Sequence, residues 1–126
     1  MKKILLSIII ILVAMSFRFQ GDASSVITAL KSGNSDLVSN YFDRIIDIKF
    51  PDKDEIKSIG KNQAGIALRA FYSENNIQGF QLSSQREMSG TMYIAGKLRN
   101  DSNGYNLSMM LKLKDGKHQI ITVRIN

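Results

Sequence analysis

Two aspartates in a segment of alternating polarity are the first candidates for acid–base chemistry. Side chains alternate along residues 43–50, which predicts a strand that turns Asp43 and Asp47 to one face. Two carboxylates held close together in a dry cleft can share a proton, and this raises the pKa of one of them. The alternative is that both carboxylates face water beside Lys49, because the core-facing residues of this strand lie on its other face.

The remaining residues give little support for a metal site or a catalytic nucleophile. His118 is the single histidine, and it follows a predicted hairpin turn, so we expect it at the surface at the start of a strand. The acidic turn of Asp52, Asp54 and Glu55 lacks the ligand order and the bend glycine of a calcium loop. The absence of cysteine excludes thiolate metal sites, disulfides and thiol nucleophiles. We therefore expect no metal and no cofactor.

The start of the chain has the pattern of a secretory signal peptide. A short basic start precedes an almost entirely apolar run over residues 4–17, and a membrane-spanning helix needs about 20 apolar residues. Small residues place the cleavage after Ser16, Gly21 or Ala23. We predict a signal peptide over residues 1–23, an exported protein in the periplasm or outside the cell, and no stable membrane insertion after cleavage. An uncleaved anchor is the alternative.

The rest of the chain, residues 24–126, has the length of one domain. The chain of 126 residues has a formal net charge of +6. Residues 24–126 keep 14 basic and 10 acidic residues, a net charge of +4. These charges are dispersed singly, which argues against nucleic-acid binding.

The hydrophobic periodicity predicts helices first and a meander of strands afterwards. Ser24 or Ser25 caps a helix that ends at Leu30, and Asn34 or Ser35 caps a second short helix. A third helix is predicted over 62–75, and strands over 43–50, 56–59, 80–88, 91–99, 105–114 and 118–125. This order indicates an α+β domain with its helices packed on one face of an antiparallel sheet. The clean alternation over 105–114 predicts a central strand.

The outer face of this sheet is a candidate interaction surface. In the predicted strand phases it takes Ser83 and Gln85 together with Tyr93, Met110 and Ile120. The last three form an apolar island inside a polar rim, which is typical of a partner patch or a homodimer interface.

Several short segments of residues 24–126 together carry a resemblance to a known family: 27–34, 41–42, 62–64, 68–72, 93–98, 104–105 and 121–125. Through them the chain resembles a domain-of-unknown-function family of small exported Bacteroidota proteins, which are similar in fold to nuclear transport factor 2, the cystatin-like α+β cone. The resemblance implies a curved antiparallel sheet with helices on one face. The family brings no established activity with it.

The resemblance also implies a cavity between the sheet and the helices, since folds of this type often enclose one. Its candidate lining residues are Tyr93, Tyr105, Arg86, Arg69 and Asp47. The function expected is a non-catalytic exported domain that binds a small apolar molecule or a protein partner at the cell envelope. The alternative is an isomerase-like or dehydratase-like enzyme that uses a pocket Asp or Tyr, by analogy with relatives of the same fold.

Overall fold

The computed structural model describes residues 21–126, which contain three helices and one six-stranded sheet. In chain order the elements are α1 (Gly21–Lys31), α2 (Ser35–Ser39), β1 (Phe42–Lys49), β2 (Ile56–Gly60), α3 (Lys61–Glu74), β3 (Gly79–Met88), β4 (Thr91–Arg99), β5 (Tyr105–Lys114) and β6 (Lys117–Ile125). The predicted signal peptide falls, apart from its last three residues, outside the described part of the chain. Within that part, no helix combines the length and the apolar character needed to cross a membrane.

Local sequence signals place most element ends within one residue of the prediction. β4 and β5 have the predicted bounds, and α3 begins one residue early. α2 starts after Asn34, whose side-chain oxygen accepts the backbone N–H groups of Asp36 and Leu37. The predicted cap at Ser24 or Ser25 is wrong, because α1 already includes both residues and begins at Gly21.

The strands follow the order β2-β1-β6-β5-β4-β3. Four of the five neighbouring strand pairs are antiparallel. The last strand, β6, lies beside β1 and runs parallel to it. β5 is an interior strand, as predicted, with Leu107 and Leu111 buried on its helix side. The predicted α+β architecture is confirmed.

The helices cover one face of the sheet and bury a single apolar core against it. The ring of Phe71, from α3, contacts Phe50 beyond β1 and Tyr105 of β5, with centroid separations of 5.4 and 5.1 Å. Gly96 of β4 faces the core beneath Phe80, and a Cβ atom there would lie 2.4 Å from that ring and 2.2 Å from the carbonyl oxygen of Gln81. This close approach requires glycine.

β-bulges in β3 and β6 interrupt the alternation of these two strands. In β3 the register shifts between Leu82 and Ser84, which leaves Ser83 as the extra residue opposite β4. In β6, Leu111 pairs with Ile120 and Met110 pairs with Thr122, so Ile121 is extra. Each bulge reverses the facing of the residues on one side of it, and bulges also bend the strand that carries them.

Candidate functional site

The face of the sheet that carries no helix, the helix-free face, presents a row of side chains that crosses five strands. Arg86 of β3 lies opposite Tyr93 of β4, and Tyr93 lies opposite Met110 of β5. Met110 lies opposite Thr122 of β6, which is level with Asp47 of β1. Three predicted site residues, Arg86, Tyr93 and Asp47, therefore share one row, although they are far apart in the sequence.

A groove of about 390 Å³ follows the β3 to β6 part of this row. Small residues lie next to the row on β3, β4 and β5, where Ser84 pairs with Ala95 and Ala95 with Ser108. Larger apolar side chains lie beside this depression, toward the turn between β3 and β4: Met88 and Tyr93 are exposed, at 53% and 38% of their accessible surface. The groove thus has an apolar lining with a polar floor that is open to water.

Two guanidinium groups line the groove, from Arg86 and Arg124. Arg124 already binds a carboxylate: its Nη2 and Nε atoms lie 3.1 and 3.2 Å from Oε1 of Glu55. Within residues 21–126, the Arg86 side chain makes no hydrogen bond and no ion pair. The groove therefore contains one cation whose donors bind no other residue in the described part of the chain.

The charge of the domain is concentrated on the helix-free face. On strands β3 to β6 this face carries seven basic residues and no acidic residue. The basic residues are Arg86, Lys97, Arg99, Lys112, Lys114, Lys117 and Arg124. A one-sided surface of this kind attracts anions.

Asp43 and Asp47 lie on the helix-free face, as the alternation predicts, but each has its own partner. Lys114 Nζ donates to Asp43 Oδ2, and this contact holds the pKa of the Asp43 carboxyl below its ordinary value. Asp47 Oδ1 accepts the backbone N–H of Ser58 at 2.9 Å. Among the residues whose side chains are described, Ser35 is the one buried polar residue, so no carboxylate lies in a dry environment.

Arg69 and Tyr105 do not join the row, so the predicted pocket of five residues does not form. Arg69 is an exposed residue of α3 and binds Asp36 of α2, with Nη2 and Oδ1 2.8 Å apart. Tyr105 lies on the helix side of β5, where its hydroxyl donates to Asn75 Oδ1 at 2.8 Å. Both side chains link elements of the fold, which is a structural role.

The predicted position of Ile120 on the outer face is also wrong, because this residue lies in the core and has no accessible surface. The bulge at Ile121 turns it inward, and Thr122 takes the expected place beside Met110. The bulge at Ser83 similarly replaces the expected Ser83 and Gln85 by Ser84, Arg86 and Met88 on the helix-free face. The adjacent polar residues Ser83 and Ser84 are the one sequence signal that the alternation breaks here.

Other metal and titratable candidates give no site in the described part of the chain. No group of three or more His, Cys, Asp or Glu side chains there could hold a metal ion. Burial raises the pKa of Tyr72, but this residue belongs to the core side of α3, away from the groove. The groove on the helix-free face is therefore the candidate site.

Comparison with solved structures places this fold among the nuclear transport factor 2-like proteins. An NTF2-like protein of unknown function from Cytophaga hutchinsonii matches with a TM-score of 0.56 and 10% identity, over 82% of this chain and 84% of that chain. A protein of the DUF4783 family from Bacteroides uniformis matches with a TM-score of 0.74 and 22% identity, over 82% of this chain and 94% of that chain. At these identities the likeness shows the fold.

Residues 23–126 match the family model of the domain of unknown function DUF4783, and the chain belongs to this family. A second family structure, from Bacteroides ovatus, matches with a TM-score of 0.71 and 24% identity, over 80% of this chain and 90% of that chain. No protein of curated function matches the sequence. The family and the nuclear transport factor 2-like fold expected from the resemblance are confirmed.

Proposed function

We propose that this protein is an exported, non-catalytic binding domain, and that the groove on its helix-free face holds a small apolar molecule. The observation that carries the proposal is the apolar lining of the groove, where Met88, Tyr93 and Met110 remain in contact with water although the domain has a well-formed core. Burying such side chains under a ligand contributes about 25 cal/mol per Å² of apolar surface. The groove volume lies at the lower end of the range for small-molecule sites, about 300–1,000 Å³.

The chemistry of the lining supports binding rather than acid–base catalysis. A general acid or base needs a pKa near the working pH, and an Arg guanidinium stays protonated throughout that range. The remaining polar groups at the groove are the hydroxyls of Ser84, Tyr93, Ser108 and Thr122. An isomerase-like or dehydratase-like mechanism would need a pocket carboxylate in an apolar environment, and no described side chain provides one.

A neutral fluorescent probe tests the groove directly. Phenylnaphthylamine is apolar and uncharged, and its emission rises when it leaves water, so a titration gives a dissociation constant. We expect saturable binding that Tyr93→Ala weakens about tenfold, the size of a typical contact residue at the centre of a site. Ile66→Ala is the matched control, because Ile66 is an apolar residue of α3 that is 63% exposed outside the groove.

Two results would contradict the proposed groove. One is the absence of saturable probe binding by a protein whose circular dichroism and thermal unfolding show that it is folded. The other is an equal loss of affinity in Tyr93→Ala and Ile66→Ala, which would mean that the probe binds exposed apolar surface in general.

Export is the second part of the proposal, and it depends on the basic start and the apolar run of residues 4–17. A protein recovered from the periplasm or the medium should begin between Phe17 and Ser24. N-terminal sequencing checks this, and an exported protein that still begins at Met1 would contradict cleavage.

A further inference from the structure

We infer that the groove selects apolar molecules that carry a negative charge, with Arg86 as the residue that contacts the anion. This inference rests on the proposed function, because it concerns the same groove. It adds the chemical class of the ligand: an apolar body with one carboxylate, sulfonate or phosphate group.

The first argument is the position of the uncommitted guanidinium among the two that line the groove. Arg86 lies opposite Tyr93 at the apolar part of the groove, and within residues 21–126 it has no acidic partner. Arg124, across the groove, is held by Glu55 through Nη2 and Nε. A guanidinium presents its N–H donors as a planar fork that matches the oxygens of carboxylate and phosphate groups, so Arg86 is suited to bind such a group.

The second argument is the set of hydroxyl groups on the floor of the groove. Ser84, Ser108 and Thr122 line it, and none of the three hydroxyls has a hydrogen-bond partner in the described residues. A hydroxyl can donate to an anionic oxygen and rotates to suit it. The groove thus offers a charged donor and neutral donors next to an apolar surface, which is what an amphipathic anion requires.

The third argument is the field of the whole helix-free face. The seven basic residues on its β3 to β6 part raise the local concentration of anions and oppose the approach of cations. The same charge opposes a homodimer through this face, because two copies would bring like-charged surfaces together. We therefore assign the groove to a small anion rather than to a second copy of the chain.

A matched pair of probes separates charge from apolar contact. Anilinonaphthalene sulfonate has the same anilinonaphthalene body as phenylnaphthylamine and adds one sulfonate group. We expect the wild-type protein to bind the sulfonate about tenfold more tightly than the neutral probe, the size of one hydrogen bond to a charged group. Arg86→Gln should bring the two dissociation constants within about twofold of each other.

Lys97→Gln is the control for the general field, because it removes one positive charge from the same face without touching the lining of the groove. It should keep most of the preference for the sulfonate, and Arg86→Lys should keep part of it. An unchanged preference in Arg86→Gln, or an equal loss in Lys97→Gln, would overturn the assignment of Arg86.

The outcomes also distinguish this inference from the proposed function. If both probes bind equally and Tyr93→Ala weakens both, the groove stands and the selection for anions is wrong. If neither probe binds saturably, the proposed function itself fails. Sedimentation of the wild-type protein should show a monomer, and a dimer that Met110→Glu dissociates would assign the face to a second copy.

Discussion

Arg86 and Tyr93 lie directly opposite each other on the helix-free face, because the bulge at Ser83 changes the facing of the second half of β3. Without that extra residue, the regular alternation from Leu82 would place Arg86 on the same side as this core-facing residue. The bulge therefore supplies the groove with its uncommitted cation. Bulges are frequent next to functional sites for this reason, since they re-aim a side chain without changing the strand order.

Asp43 predicts a specific loss of stability in acid. The contact with Lys114 lowers the pKa of Asp43 in the folded protein, so the ionised pair stabilises the fold above the pKa of the unfolded chain, which is about 3.9. This contribution disappears as the pH falls through the lower, folded pKa. Asp43→Asn should reduce the free energy of unfolding by less than about 1 kcal/mol at neutral pH, and this difference should shrink as the pH falls, as measured by urea unfolding.

Lys114→Gln should reproduce the behaviour of Asp43→Asn, because it removes the other partner of the same pair. A loss in Asp43→Asn that persists undiminished at the acid end would show that the ion pair is not its cause.

The burial of Leu111 predicts that truncating this side chain of β5 reduces the free energy of unfolding. Its side chain has no accessible surface, so Leu111→Ala removes transfer free energy and leaves a cavity, with an expected cost of about 2–5 kcal/mol. Leu113→Ala is the control on the same strand, because Leu113 is 48% exposed and should change stability by about 0.5 kcal/mol or less. Equal costs in urea unfolding would contradict the difference in burial between these two residues.

Gly96 predicts a steric limit at the contact between β3 and β4. In Gly96→Ala the new Cβ atom would meet the ring of Phe80 and the carbonyl oxygen of Gln81, and the backbone oxygen cannot move without breaking the strand pair. We expect a loss of more than about 2 kcal/mol, as for overpacked cores. Gly79→Ala is the control, since its Cβ would meet only the carbonyl of Lys31 at an ordinary 3.5 Å. Similar thermal unfolding of the two variants would refute the close approach.

The position of Tyr105 predicts that its hydroxyl affects the stability of the fold and not ligand binding. Its hydroxyl donates to Asn75, which follows the last residue of α3. Asn75 Nδ2 in turn donates to the carbonyl of Phe71 at 2.9 Å. Tyr105→Phe should cost about 0.5–1.5 kcal/mol in unfolding experiments, because Asn75 loses a partner. It should leave phenylnaphthylamine binding unchanged, since Tyr105 lies on the helix side of the sheet. A variant of normal stability with weakened probe binding would instead make Tyr105 part of the binding site.

The sequence by itself determined the local elements and the fold class. The alternation of Tyr105–Lys114 predicts a half-buried strand with Leu107 and Leu111 inward, because successive side chains of a strand point to opposite faces. Asn34 precedes α2 for an equally local reason, since its side-chain oxygen accepts the backbone N–H groups two and three residues further on. The helices followed by a meander then predict an α+β domain.

Only the tertiary structure decided which residues form the groove. A bulge is defined by the pairing of two strands, so the alternation of one strand does not reveal that Ser83 or Ile121 is an extra residue. For this reason the sequence places Ile120 outside, whereas the register with β5 turns it into the core. Asp47 likewise joins the row only because β1 pairs in parallel with β6, a contact between segments about 75 residues apart. The site therefore depends on the register between strands that are far apart in the sequence, and the local sequence pattern does not predict that register.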